Sequence, residues 1–284
     1  MSSRRFLGVP LLFASAASAV GFSVYFSIGV VADKGLGLTP VIFLAAGLLF
    51  ALTTMTYVEG GAMFRERGGS SMFARHAFNE LISFIAGWAI LIDYLIVIAA
   101  AAITVPHYLS PVSESLSKGL GEVLIATAVI GLAAGINVIG VTGRTRQARL
   151  VVLAVADLAL QVAVIAVGVI VVFDPSALTS ELDLFASPSV RDIVYAAVVA
   201  TIAYAGIEAA SDLAPDVEFE PADLRRVLNA GAVIVPLLYA CISAIALMAL
   251  PVVPGPDGPE TPLAGPYIED PILGVVQSYD PAWV

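Results

Sequence analysis

The chain has 284 residues, 59% of them hydrophobic and 13% charged, with a mean hydropathy of +0.96. An ordinary soluble domain is about 45–50% apolar and about 25% charged, so a water-soluble globule is excluded and the bilayer must be the solvent. The formal net charge of −10 argues against nucleic acid as a partner. One cysteine excludes an intrachain disulfide framework, and with two histidines it excludes a Cys/His zinc cluster.

A spanning helix needs about 20 mainly apolar residues. In chain order the sequence predicts seven: Gly8 to Ala32, Pro40 to Phe64, Leu81 to Val105, Val123 to Val141, Leu150 to Phe173, Ile193 to Leu213, and Val227 to Leu250. The fold class expected is therefore an all-α integral membrane protein. With the N-terminus inside, Arg4, Arg5, Arg65, Arg67, Arg75, Arg144, Arg146, Arg149, Arg225 and Arg226 are cytoplasmic, and only Lys34, Lys118 and Arg191 are outside. That asymmetry follows the positive-inside rule. It places the segment from Pro251 to Val284 outside, where five acids and no Lys or Arg read as a solvated loop. Arg4-Arg5 and Ala17-Ser18-Ala19 imitate a cleavable signal, but the apolar run continues through Val31 and is long enough to span.

Glu59, Asp93, Asp157 and Glu208 lie inside these spans, and no Lys or Arg does. Each carboxylate costs roughly 2.5–3.5 kcal/mol at mid-bilayer on insertion scales. Each must be protonated, hydrogen-bonded, hydrated, or neutralised by a proton, a sodium ion or a substrate ammonium. Asp93 falls at the midplane. Glu59, Asp157 and Glu208 share a layer roughly 8–10 Å from the cytoplasmic ends of their helices, which suggests a proton or cation relay. The plainer readings are an interfacial Glu59 and an Asp157 hydrogen-bonded across a helix contact.

Two spans contain features that a lipid-facing helix lacks. Span one runs through Ala14-Ser15-Ala16-Ala17-Ser18-Ala19 to Gly21-Phe22-Ser23, and span six carries Tyr204-Ala205-Gly206-Ile207-Glu208. Both are expected sites of helix breakage, with close helix packing as the alternative. Gly131 and Gly135 form a GxxxG read as helix packing, and Gly68-Gly69-Ser70-Ser71 reads as a hairpin turn, since neither a strand nor a lysine accompanies it. His76, His107 and Cys241 are assigned no functional part.

Together these motifs resemble the amino acid–polyamine–organocation permeases over nearly the whole chain. Thr56-Tyr57-Val58-Glu59 with Phe64-Arg65-Glu66-Arg67-Gly68-Gly69-Ser70 is similar to the family's Tyr-x-Glu and Phe-Pro-x-x-Gly-Gly-Ser, with Arg65 in place of the usual proline. Ala86-Gly87-Trp88 leading to Asp93-Tyr94 resembles the family's third span, and Tyr204-Ala205-Gly206-Ile207-Glu208 its aromatic-x-Gly-x-Glu. Asp216-Val217-Glu218 through Pro221 to Arg225-Arg226 resembles the acidic–proline–basic loop that enters span seven.

The resemblance implies two inverted five-helix repeats: residues 8–173 as the first, 192–250 as the first two helices of the second, and 251–284 as the external acidic tail. It implies that spans one and six break around a central substrate site. Gly21, Phe22 and Ser23 would take the carboxylate of an amino acid or amine substrate. Tyr204, Ala205 and Gly206 would take the amino group and side chain, with Tyr204 also a gate, and Asp93 and Tyr94 would complete the pocket. Glu208, Asp157 and Glu59 would couple transport to H+ or Na+, with no other cofactor. A lysine of some proton-coupled relatives near Asp157 or Leu158 is missing here. Since a five-plus-five fold needs at least ten spans, the chain is expected to be C-terminally incomplete. The implied function is secondary active transport at the cytoplasmic membrane, with no oligomeric state indicated.

The rivals are a seven-helix receptor or sensor and a permease fragment that does not transport. The receptor conflicts with an internal N-terminus, and a retinal protein would need a lysine in the last span. An enzyme is not expected: Asp93 and Asp157 lack the Gly-x-Gly-Asp of intramembrane aspartyl proteases, and no Gly-x-Ser-Gly serves a serine type.

Overall fold

The computed structural model describes residues 21–64, 68–139, 144–179, 188–206, 221–256 and 258–279. Span one enters at Gly21, turns at Phe22 and Ser23, and continues as α1 (Val24–Gly35). A 3-10 turn at Leu36–Leu38 leads into α2 (Thr39–Met63), whose first turn carries Pro40, where a missing N–H costs nothing. A short α3 (Gly69–Ala77) precedes α4 (Glu80–Tyr108), which Asn79 caps by accepting from the Ile82 amide at 3.0 Å. The Gly68–Ser71 stretch expected to be a hairpin turn is instead the start of α3.

Next come α5 (Leu120–Ile139), α6 (Arg144–Val171) and α7 (Val190–Ile202). Ser189 and Asp192 begin α7 with a reciprocal capping box. Then α8 (Pro221–Ala249) leads to a hairpin of β1 (Val253–Gly255) and β2 (Gly258–Glu260), paired with Val253 opposite Glu260, and to α9 (Pro271–Tyr279).

Five stretches of described residues are long and apolar enough to cross a bilayer: Val24–Gly61, Glu80–Tyr108, Leu120–Ile139, Val151–Val171 and Arg225–Ala249. The first holds α1 and α2 together. The difference from the seven expected spans has a local cause. α1 has 12 residues and α7 has 13, each reaching only about 20 Å, roughly two thirds of a hydrocarbon core. Their continuations, residues 1–20 and 207–220, lie outside the described residues, as does Glu208.

The core gathers α1, α2, α7 and α8, with Val24, Ile28, Phe43, Ala200, Leu228, Tyr239 and Leu247 almost fully buried. Around it, α4 and α5 present large apolar side chains outward, Phe84, Trp88 and Leu132 among them, as lipid requires. Gly131 and Gly135 have nothing within 4 Å of an added Cβ, so among the described residues no helix packs on the GxxxG.

Residues 251–279, expected to form a solvated external loop, are packed against the helices. Thr261 donates to the Leu250 carbonyl at 2.8 Å, Leu263 and Val275 are fully buried, and the Tyr279 hydroxyl donates to the Val164 carbonyl at 2.8 Å. The segment's Pro262–Ala264 turn and α9 seat on α1. Gly29 makes that seat possible, because a Cβ there would come within 2.6 Å of the Ile268 carbonyl and 2.8 Å of that of Leu263.

Candidate functional site

The candidate site is centred on the turn at Phe22–Ser23 and on the turn that ends α7 at Ala203–Gly206. At the first, Tyr25 N–H bonds to Phe22 O at 3.2 Å and Phe26 N–H to Ser23 O at 3.3 Å. These i to i−3 bonds mark a tight turn from which α1 starts afresh. At the second, α7 stops at Ile202, and Tyr204 N–H and Ala205 N–H bond back to Thr201 and Ile202 at 3.1 and 3.0 Å. Gly206 follows with φ +108, a conformation that strongly favours glycine. Termini created inside the membrane leave amide and carbonyl groups without intrahelical partners, and those groups are what a polar ligand can use.

Asp157 sits beside the first turn. It accepts from the Tyr25 hydroxyl at 2.7 Å and from Gln161 Nε2 at 2.9 Å, while the same Gln161 nitrogen reaches the Gly21 carbonyl at 3.1 Å. Span five is thereby tied to span one on both sides of the turn. The plainer sequence reading, an Asp157 hydrogen-bonded across a helix contact, has Tyr25 as its partner on the other helix. Gln161 Oε1 and Ser27 Oγ are buried with no hydrogen-bond partner among the described residues, so polar capacity remains unspent next to the carboxylate.

The other expected site residues are distributed as follows. Phe22 is half-buried, its ring 5.5 Å from that of Tyr25, and Ser23 is buried. Tyr204 is buried, stacks on Phe50 at 5.0 Å and donates its hydroxyl to the Phe43 carbonyl at 2.7 Å, so its phenol is engaged by span two. Ala205 is half-buried and Gly206 buried. Asp93 and Tyr94 lie on the less exposed stripe of α4, in register with Gly87, Ile90, Val97 and Ala101, while Trp88 faces outward. Glu59 is exposed and is not brought to Asp157.

Two residues with a place in this geometry were not singled out by the sequence. Tyr108 stands edge-on to Tyr25 at 5.7 Å and donates to the Tyr25 carbonyl at 3.0 Å while accepting from the Ile272 amide at 3.2 Å. Tyr239 on α8 is completely buried and donates to the Ala203 carbonyl at 3.2 Å. A polar tip within an otherwise apolar run was the only signal available for Tyr239. His107, also passed over, faces Glu269 of the segment after α8 at 2.9 Å and Glu122 at 3.8 Å.

A family profile described as Amino acid permease matches residues 7–254. The chain belongs to that family. Among curated proteins, it is 28% identical over 251 residues to a protein named Cationic amino acid transporter 8, vacuolar, from Arabidopsis thaliana, covering 84% of this chain and 41% of that protein. It is 21% identical over 247 residues to a protein named Methylthioribose transporter from Bacillus subtilis (strain 168), covering 82% of this chain and 52% of that one. The chain thus spans about half the length of these relatives or less. Family, apolar helices and composition together make this permease-family chain a multi-pass membrane protein.

Proposed function

We propose that the protein is a secondary transporter carrying amino acids or related amines across the cytoplasmic membrane by alternating access, with its N-terminus inside and its seven spans forming the start of a five-plus-five inverted repeat. The observation that carries this reading is the pair of turns at Phe22–Ser23, where α1 begins, and at Ala203–Gly206, where α7 ends. Family membership supports the substrate class, and the names of the relatives span amino acids and another small polar solute.

The chemistry follows from the polarity of the half-helices. α1 begins afresh at the Phe22–Ser23 turn, and the positive end of its helix dipole favours an anion. The substrate carboxylate therefore sits at Gly21, Phe22 and Ser23. The end of α7 offers carbonyls and the negative end of its dipole, so the ammonium sits at Tyr204, Ala205 and Gly206. Because the Tyr204 phenol is engaged by the Phe43 carbonyl, binding there uses the backbone, and gating by this ring requires that bond to break. Asp93 and Tyr94, on the inward stripe, meet the substrate side chain. An intramembrane carboxylate without a basic partner favours cationic side chains and amines over acidic ones.

Asp157 is the coupling group that the geometry supports best. It touches the first turn directly, through Tyr25 and Gln161. Loss or gain of its charge changes what holds the turn at Gly21, which links a proton, or a sodium ion in its place, to the shape of the substrate site. Glu208 joins it as a proposed partner, and the exposed Glu59 takes at most an interfacial part.

The test is uptake of labelled arginine, lysine, leucine and putrescine into proteoliposomes containing the full-length protein, under imposed pH or sodium gradients. Asp157→Asn is expected to abolish gradient-driven accumulation, by tenfold or more, while leaving substrate exchange measurable. Gradient stimulation that survives intact in Asp157→Asn removes Asp157 from coupling, and a folded wild-type protein that moves none of these solutes contradicts the transport reading.

A further inference from the structure

The hydroxyl of Tyr108, at the end of α4, is shared between two parts of the chain that lie far apart in sequence. It accepts from the Ile272 amide at 3.2 Å and donates to the Tyr25 carbonyl at 3.0 Å. Each bond has a local cause. α9 opens on Pro271, which has no N–H, so Ile272 carries the first amide of that helix, and a first amide has no carbonyl of its own helix to meet. Ile272 is buried, so losing this bond leaves its amide unsatisfied. The Tyr108 ring stands edge-on to that of Tyr25, with 5.7 Å between centroids, which sets its hydroxyl beside the Tyr25 backbone.

Tyr25 is thereby held at both ends: Tyr108 donates to its carbonyl, and its own hydroxyl donates to Asp157 at 2.7 Å. The far end of α9 reaches the helix that carries Asp157. There the Tyr279 hydroxyl donates at 2.8 Å to the carbonyl of Val164, about two helical turns along α6 from the carboxylate. α9 therefore bears on both helices that the Tyr25–Asp157 bond joins, on α1 through Tyr108 and on α6 directly. We infer that Tyr108 is a positioning residue for Asp157: through one hydroxyl it makes the placement of Tyr25, and so the bond that Tyr25 gives to Asp157, depend on α9 being seated. This rests on the proposed coupling role of Asp157 and adds to it a residue on α4 that acts through Tyr25.

The test is Tyr108→Phe in the full-length protein, which keeps the ring contact and removes both bonds. Backbone amide hydrogen exchange, measured without substrate, is expected to quicken about tenfold in 271–279 and about threefold in 21–29, with α5 unchanged. Coupling between two sites runs both ways. Tyr25→Phe, which frees Asp157 but leaves the carbonyl bond, is therefore expected to quicken exchange in 271–279 about threefold. In proteoliposomes, Tyr108→Phe is expected to lower gradient-driven accumulation of labelled arginine about fivefold while arginine exchange changes less than twofold. Quickening confined to 271–279 in Tyr108→Phe makes Tyr108 a cap for α9 alone and overturns the inference. So does exchange that is unchanged, or that quickens over the whole chain, and so does uptake in which accumulation and exchange fall together or neither falls. A wild-type protein that transports nothing defeats the transport reading, while the hydrogen-exchange result in the two variants still decides whether Tyr108 ties α9 to Tyr25.

Discussion

Two carboxylates on this chain show how differently the same group behaves according to its neighbours. Asp157 is met by two donors, a phenol and an amide, which satisfy both of its oxygens. Asp270, in the segment after α8, is nearly buried, and one of its oxygens has no hydrogen-bond partner among the described residues. Burial pushes its carboxyl above the usual carboxylate range, and nearby Glu269 adds to this, though His107 opposes it. The folded state therefore binds this proton more tightly than the unfolded state. Its stabilising contribution is complete below the unfolded value, near pH 4, and is lost as pH rises through the raised folded value. Asp270→Asn is expected to melt roughly 2–4 °C higher than wild type at pH 7, the shift that about 1 kcal/mol gives in a chain of this size. The difference should shrink as pH approaches 4. A difference that is constant across pH 4 to 7, in a scan of paired melting curves, would show that the charge of Asp270 is not its cause.

Among the elements, residues 261–279 and α1 are bound by backbone proximity as well as by side chains. The atoms facing Gly29 are main-chain atoms of Ile268 and Leu263, which cannot swing aside as a flexible side chain would. Gly29→Val is expected to cost about 1–3 kcal/mol of packing and to expose residues 261–279 to protease while the membrane helices keep their far-ultraviolet signal. Resistance equal to wild type would contradict this contact. The same elements show what was legible beforehand. The turn at Phe22–Ser23 and the end of α7 before Gly206 could be read because glycine and small residues stand where lipid-facing leucines would otherwise be. The less exposed stripe of α4 was not read from the sequence, where Asp93 and Tyr94 stood out only by depth and by resemblance. The fold of residues 251–279 was not legible, since their prolines and acids conceal that Leu263 and Val275 are anchors. The GxxxG of α5 promised a contact that the described residues do not make. Tyr239 was illegible because its meaning lies in Ala203, which is distant in sequence.

At the scale of the whole molecule, the account makes one polar centre in an apolar protein out of parts that are weak alone. The turn at Phe22–Ser23 and the end of α7 supply backbone at helix ends, α6 supplies Asp157 and Gln161, α8 supplies Tyr239, and the segment 261–279 packs on α1 and α4 at Gly29 and Tyr108. Membership of the amino acid permease family gives these parts a common purpose. The most direct test is ligand-induced thermal stabilisation of the detergent-purified full-length protein against amino acids and amines at two pH values, with and without sodium, compared with Gly206→Leu. A ligand at about 100 times its dissociation constant adds roughly 2.7 kcal/mol to the folded state. The account predicts a selective rise in melting temperature for an amino acid or amine, dependent on pH or sodium and lost in Gly206→Leu. A folded protein that no such solute stabilises, or a rise that Gly206→Leu leaves intact, would contradict a substrate site at the broken helices.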